Sequence, residues 1–265
     1  MVNRDKALSG IHIESSDHKI ILNRFCDQID RVLKQHTTEF TYFVSPDVLG
    51  DFFQILDHAR MINYTVFGGY KEAEYVVIAL HPDYIEKLYS DEFPIKLLVI
   101  EAGKQQEAIE HRDVLGSLMG LGFSRERMGD IVLLDSCAQV MILEEMGDYA
   151  LSSLDRVGRS KVTVHQVGIE KFIPKPVTYV DVSTTVKSVR LDALVGSAFG
   201  LSRGKAADLV KAKKVKLNYR PVTSTSKELH EGDLVSVRGK GRFILSDILD
   251  RTKKDRLKII IKKIV

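Results

Sequence analysis

The chain has 265 residues, 44% of them apolar, with 39 Lys and Arg against 36 Asp and Glu and a formal net charge of +3. That length allows a sizeable core and more than one domain. No run approaches the roughly 18 apolar residues of a membrane span, the opening MVNRDKALSG has no hydrophobic signal region, and Cys26 and Cys137 are too few and too far apart for a disulfide framework or a zinc site. A cytoplasmic protein without membrane contact, with two buried thiols, is expected.

The predicted elements begin with helices. Leu22, Phe25, Ile29, Val32 and Leu33 share one apolar face behind the cap candidates Ser15 and Ser16; Ser45-Pro46-Asp47 opens a second helix carrying Leu49, Phe52, Phe53 and Leu56. Residues 1–73 therefore read as a helical N-terminal region with its aromatics in the core. The loop Val66-Phe67-Gly68-Gly69-Tyr70 ends it. Its glycine pair lacks the Gly-x-x-x-x-Gly-Lys-Ser/Thr spacing of a phosphate loop and answers better to backbone geometry.

Residues 74–168 read as the middle domain. A strand at 74–80 leads through Pro82 to a strand at 95–100, a helix at 107–121, strands at 130–134 and 138–143, a helix at 149–157 and a strand at 161–167. From 95 onward the order is β-α-β-β-α-β. It predicts a ferredoxin-like sandwich, a four-stranded antiparallel sheet with both helices on one face, in the topology shared by many RNA-recognition domains. The strand Asp130-Ile131-Val132-Leu133-Leu134 offers no exposed aromatic for base stacking, so stacking is not assigned to it.

Residues 169–187, with Pro174 and Pro176 and then a Ser/Thr-rich extended segment, read as a linker into the last domain, 188–265. There Leu191, Leu194, Val195 and Ala198 recur at i, i+3, i+4 and i+7; Gly200 stops this helix and Ser202 caps a second one carrying Ala206, Leu209 and Val210. At 100° per residue Arg203, Lys211 and Lys214 fall on one arc of roughly 80° beside the apolar stripe, which predicts a basic ridge. Short strands follow at 215–217, 234–237 and 243–245, separated by Glu231-Gly232-Asp233, Gly239 and Gly241, with Arg238, Lys240 and Arg242 beside the last two. The tail from Lys253 is expected to form a closing strand, in which Lys258, Lys262 and Lys263 either extend a basic face or protect a sheet edge.

Charge is divided along the chain. Residues 182–265 hold 20 Lys and Arg against 8 Asp and Glu, net +12, while residues 1–181 hold 19 against 28, net −9. A basic end on an acidic body is the electrostatic footprint of a polyanion binder.

The ordered pattern Arg190-Leu191-Asp192, Ser202-Arg203, the Lys-rich helix end, Val215-Lys216-Leu217-Asn218 and Glu231-Gly232-Asp233-Leu234-Val235-Ser236-Val237 resembles the RNA-binding domain named after the small-subunit ribosomal protein S-four. The resemblance implies that Arg190, Ser202, Arg203, Lys205, Lys211, Lys214, Lys216 and Asn218 face RNA. Arg238, Lys240 and Arg242 join them as candidates. That family usually has Asn-Gly in the turn where this chain has Asn218-Tyr219, which leaves the local turn type open.

Catalytic signatures are missing. His111-Arg112-Asp113 resembles the start of a kinase catalytic loop, but the position that should hold Asn is Leu118. Arg112, Arg125 and Arg127 bracket this helix and read either as a second anion contact or as local ion pairs with Asp113, Glu126 and Asp130. Glu144, Glu145 and Asp148 suit a helix N-terminus better than a metal-dependent nuclease. No catalytic residue, cofactor or metal is expected.

Taken with the basic domain, VFGGYKEAE at 66–74 and HRDVLGSLMGLGFSRERMGDI at 111–131 resemble the bacterial YlmH family. The resemblance implies a non-catalytic RNA-binding protein, typically encoded beside cell-division genes, that associates with the large ribosomal subunit and tRNA and supports rescue of stalled nascent-chain complexes. Its mechanism is read as clamping of structured rRNA or tRNA. The competing readings are an RNA-modifying enzyme, for which the signatures are absent, and a cell-division adaptor whose acidic N-terminal body contacts another protein.

Overall fold

The computed structural model describes residues 3–11, 13, 15–103, 109–175 and 178–264. The chain forms two compact units, Met1–Lys175 and Pro176–Val265. It is an α+β, multi-domain protein with a helical N-terminal region, a ferredoxin-like middle and a small α/β C-terminal module.

The first unit opens with α1 (Arg4–Ala7) and α2 (Ser16–Gln35), the latter capped by the Ser15 hydroxyl, which accepts from the His18 N–H at 3.1 Å. After β1 (Glu39–Phe40) comes α3 (Pro46–Asp57), with proline in its first turn as anticipated. Phe25 of α2 stacks on Phe52 of α3 with ring centroids 3.9 Å apart. Two strands follow, β2 (Ile62–Phe67) and β3 (Val77–Pro82), and they pair antiparallel with β1 in the order β1-β3-β2. The sequence reading missed β2. The expected strand at 74–80 is shifted, and it pairs with β2 and β1 rather than with the middle sheet.

The middle elements are β4 (Ile95–Ala102), α4 (His111–Gly120), β5 (Met128–Leu133), β6 (Cys137–Leu143), α5 (Gly147–Ser153), the short β7 (Arg156–Val157) and β8 (Ser160–Val167). Residues 107 and 108 of the expected helix lie outside the described residues. The sheet order β5-β6-β4-β8-β7, antiparallel throughout, is the ferredoxin-like arrangement with one added strand.

Alternation along the strands explains how these parts stack. In β3, Ile78 and Leu80 join the core with α2 and α3, while Val77 and Ala79 point the other way onto Leu97, Met141 and Leu143 of the middle sheet. In β4, Leu98 and Ile100 turn towards Val114 and Leu118 of α4. The unit is therefore four layers: helices, small sheet, middle sheet, helices. All six residues of β3 are buried because a layer covers each of its faces.

The glycines of the 66–75 loop are needed for close approach, as the sequence suggested. A Cβ on Gly68 would lie 2.4 Å from the Tyr75 carbonyl oxygen, and one on Gly69, whose φ is +99°, would lie 2.5 Å from Met141 Sδ. Cys26 is buried and Cys137 half-buried; both are free thiols.

The second unit contains β9 (Tyr179–Val186), α6 (Leu191–Phe199), α7 (Arg203–Lys211), β10 (Val215–Leu217), β11 (Arg220–Pro221), β12 (Leu234–Val237), β13 (Gly241–Arg251) and β14 (Leu257–Ile264). Its sheet runs β11-β10-β12-β13-β14-β9, with one face packed on α6 and α7. Most of the Ser/Thr-rich segment read as linker is thus β9, paired from Tyr179↔Ile264 to Val186↔Leu257 with the closing strand. Pro176 of that segment lies outside the described residues. Among the described residues no helix is long and apolar enough to cross a membrane.

Candidate nucleic-acid interface

The corner between α6 and α7 is built as its sequence suggests. Gly200 takes the left-handed conformation, φ +63°, and the Leu201 N–H returns to the Gly196 carbonyl at 2.9 Å. Ser202 caps α7, its hydroxyl accepting from the Lys205 N–H at 3.3 Å. Leu191, Leu194, Val195 and Ala198 of α6 and Ala206 and Val210 of α7 are buried against Val215, Val235, Phe243 and Leu245 of the sheet. Burying that face leaves Arg203, Lys205 and Lys211 exposed.

Asp192 organises the arginines. Its side chain is 5% exposed and receives Arg190 Nε at 3.2 Å, Arg190 Nη2 at 3.2 Å and Arg203 Nε at 3.0 Å. Burial opposes ionisation of this carboxyl, but the hydrogen bonds and charges of Arg203 and Arg190 outweigh it and hold its pKa below the ordinary value. One acid between two guanidiniums leaves a net positive charge. Arg203 remains 61% exposed with only its Nε engaged among the described residues, which leaves its other N–H donors available to a further acceptor. The sequence showed these three residues but not that one carboxylate fixes both arginines.

The Lys-rich end departs from the helical projection. Helix α7 ends at Lys211, so Lys214 is not part of its arc. Lys213 sits in the left-handed region, φ +55°; its N–H donates to the Val210 carbonyl and that of Lys214 to the Leu209 carbonyl, both at 3.0 Å. This is the helix ending normally given to glycine. It turns Lys213 and Lys214, both exposed, towards β10. Lys213 went unnoticed as a candidate; a lysine cluster ending a helix without a following glycine was the available signal.

The remaining candidates divide. Lys216 is exposed between buried Val215 and Leu217, and it pairs with Ser236, which pairs with Arg242. Paired residues share a face, so Lys216 and Arg242 lie on the side of the sheet away from α6 and α7. Arg238 and Lys240 are exposed in the turn between β12 and β13. Asn218 serves the fold: its Nδ2 donates to Asp233 Oδ1 at 2.7 Å and its Oδ1 accepts from the Leu234 N–H at 2.9 Å. With Asn218 at φ +47° and Tyr219 at +69°, the two-residue turn keeps the left-handed pair of a type I′ hairpin despite the missing glycine.

Arg112, Arg125 and Arg127 are used within the first unit. Arg127 pairs with Glu145 and lies over the Tyr42 ring, Arg112 pairs with Glu110 at 2.9 Å and, as one of the expected local pairs, with Asp113 at 3.9 Å, and Arg125 lies 3.8 Å from the centroid of Tyr75 while donating to the Met128 and Gly129 carbonyls. Glu126 instead pairs with Arg24, and Asp130 accepts from Tyr70. The sheet face that RNA-recognition domains use for stacking is covered here by the β1-β3-β2 layer, with Leu97 and Met141 fully buried. Among the described residues no group of three or more His, Cys, Asp or Glu is placed to hold a metal ion.

Comparison with known proteins fits this layout. Residues 17–85 match the family described as "YlmH, N-terminal", residues 89–171 the "Putative RNA-binding domain in YlmH", and residues 189–235 the "S4 domain". A relative from Bacillus subtilis (strain 168), "Ribosome-associated protein quality control protein P2", is 33% identical over 197 residues, covering 74% of this chain and 76% of that protein. The solved structure "Cell division protein ylmH from Streptococcus pneumoniae" is 26% identical and aligns with a TM-score of 0.50 over 62% of this chain and 100% of its own.

Proposed function

The chain belongs to the YlmH family, and from that membership we propose that it is a non-catalytic, cytoplasmic RNA-binding protein that clamps structured rRNA or tRNA on the large ribosomal subunit during rescue of stalled nascent-chain complexes. The observation that carries this reading is the Asp192-fixed pair Arg190 and Arg203 beside the exposed Lys205, Lys211, Lys213 and Lys214. Guanidiniums held in place before binding lose little entropy on meeting phosphates, and a row of ammonium groups follows the backbone without reading bases. Ser202 and Asn218 support the shape of the clamp, since their polar atoms hold the α7 cap and the β10–β11 turn. Arg238 and Lys240 extend it from the neighbouring turn, whereas Lys216 and Arg242, on the far sheet face, stand outside the clamp.

The test is crosslinking and sequencing of bound RNA from cells, comparing the natural chain with Arg203→Ala/Lys214→Ala. Discrete large-subunit and tRNA sites that vanish in the variant support the clamp; diffuse sites, or sites unchanged in the variant, refute it. The name of the Streptococcus pneumoniae relative favours a second reading, in which the acidic first unit also contacts a cell-division protein. A partner retained on the chain after nuclease treatment supports that contact.

A further inference from the structure

Beside Arg203, the end of β9, one face of α6 and the turn before β14 enclose an open cavity of about 350 Å³. Three cations reach it, Lys187, Arg203 and Arg256. None of the three comes from the same element, and Lys187 and Arg256 lie 69 positions apart in the segments read from sequence as linker and tail. Small residues of α6, Ala193, Gly196 and Ser197, line it.

Arg256 is the informative member. It is half-buried, its Nε donates to Thr185 Oγ1 at 3.0 Å and a terminal amino group donates to the Thr185 carbonyl. Those acceptors are neutral. Among the described residues no carboxylate pairs with Arg256 or with Lys187, and Asp192, the acid that holds Arg203, is already shared with Arg190. A guanidinium that is partly desolvated, fixed in orientation and without a counter-charge is a site made for an anion. The hydroxyls of Ser188 and Ser197 line the same cavity and add neutral donors.

We propose that this cavity seats one phosphate group of the bound RNA, held between Lys187, Arg203 and Arg256. This rests on the RNA-binding reading above and deepens it: Arg203 belongs both to the Asp192-fixed pair and to the cavity rim, so a backbone following the ridge reaches the seat without leaving the surface. The seat anchors a single phosphodiester at a fixed point, whereas the exposed lysines of the ridge follow the rest of the strand.

Two measurements on the full chain test it. The first is a ¹⁵N NMR titration with inorganic phosphate. Saturable shifts at Ser188, Gly196, Ser197 and the Arg256 side chain, lost in Lys187→Gln, are expected; shifts spread over the ridge, or unchanged in Lys187→Gln, overturn the seat. The second is binding of bulk tRNA as a function of salt for the natural chain, Lys187→Gln and Lys211→Gln/Lys214→Gln. The seat predicts that Lys187→Gln weakens binding about three- to tenfold and reduces the salt slope by about one. If the natural chain binds with a steep salt slope and the ridge variant is impaired while Lys187→Gln is not, the seat is wrong and the RNA-binding reading stands. A natural chain with a flat salt response refutes the parent reading and the seat together.

Discussion

The Tyr70 hydroxyl donates to Asp130 Oδ2 at 2.6 Å, and the same carboxylate accepts from the backbone N–H groups of Glu74 and Tyr75 at 2.8 and 3.1 Å. One acid on β5 of the middle sheet thereby fixes the loop that joins β2 to β3, while Tyr70 stacks on Phe172 with centroids 4.2 Å apart. Burial, followed by the hydrogen bond to Asp130, raises the Tyr70 pKa, so the phenol stays a donor throughout the working range of pH. The two stretches that carried the family resemblance thus meet each other, which makes their specificity a matter of architecture. Asp130→Ala is expected to cost about 2–4 kcal/mol, because three donors lose a charged acceptor, and Tyr70→Phe about 1–2 kcal/mol. Urea unfolding measures both. Affinity for tRNA should stay within about twofold, since the charge-assisted contacts assigned to RNA lie in the other unit.

How far the sequence could be read depended on whether each signal was local. The stripe through Phe25 and Ile29, the Ser15 cap and the Gly200 stop are set within one or two turns, and all were legible. The strand β2 was not: Ile62–Phe67 is partly covered on both faces, so it shows no clean alternation of apolar and polar residues. Nor was β9, a Ser/Thr-rich edge strand whose partner begins at Leu257, far along the chain. The site follows the same rule. Arg190, Asp192 and Arg203 were visible as residue types, but their union around one buried carboxylate needs the α6–α7 corner. Lys214 was misplaced because a helical projection does not know where the helix ends.

Acid should separate the Asp192 contribution from the rest. Its native pKa is depressed, so its stabilisation is fully present above the ordinary carboxyl value of 3.8 and is lost as pH falls through the lower native value. At neutral pH Asp192→Asn is expected to be less stable by about 1.5–3 kcal/mol, the range for hydrogen bonds to charged groups. Below about pH 4 the difference should shrink, because the natural chain then loses the same charge. Urea midpoints from about pH 7 to pH 2 decide it. A difference that is constant over that range would mean that packing, not charge, is what Asp192 contributes.

Lys213 occupies a left-handed position that costs an L-residue about 1 kcal/mol relative to glycine, partly offset by the greater freedom of unfolded glycine. Lys213→Gly is therefore expected to raise stability by up to about 0.6 kcal/mol. Its effect on RNA should be opposite, with the salt slope falling by about one if the ammonium meets a phosphate. Thermal unfolding and tRNA binding on the same variant measure the two sides. A stabilised variant with unchanged affinity would assign Lys213 to the helix end alone.

The last prediction concerns which face of the second unit meets RNA. Arg203, Lys205 and Lys211 project from α7, whereas Lys216 and Arg242 share a row across β10, β12 and β13 on the opposite side of the sheet. A strand of RNA running along the ridge cannot at the same time follow that row, because the sheet itself stands between them. Arg242 is half-buried and Lys216 exposed, so replacing both with Gln should not disturb the core around Phe243. Each phosphate contact contributes roughly 0.9 to the slope of log affinity against log salt. Lys205→Gln/Lys211→Gln should accordingly lower the magnitude of the slope by about two, and Lys216→Gln/Arg242→Gln by less than about half a unit. Equal losses from both pairs would show RNA wrapped around the sheet edge, and a loss confined to the second pair would move the clamp to the far face.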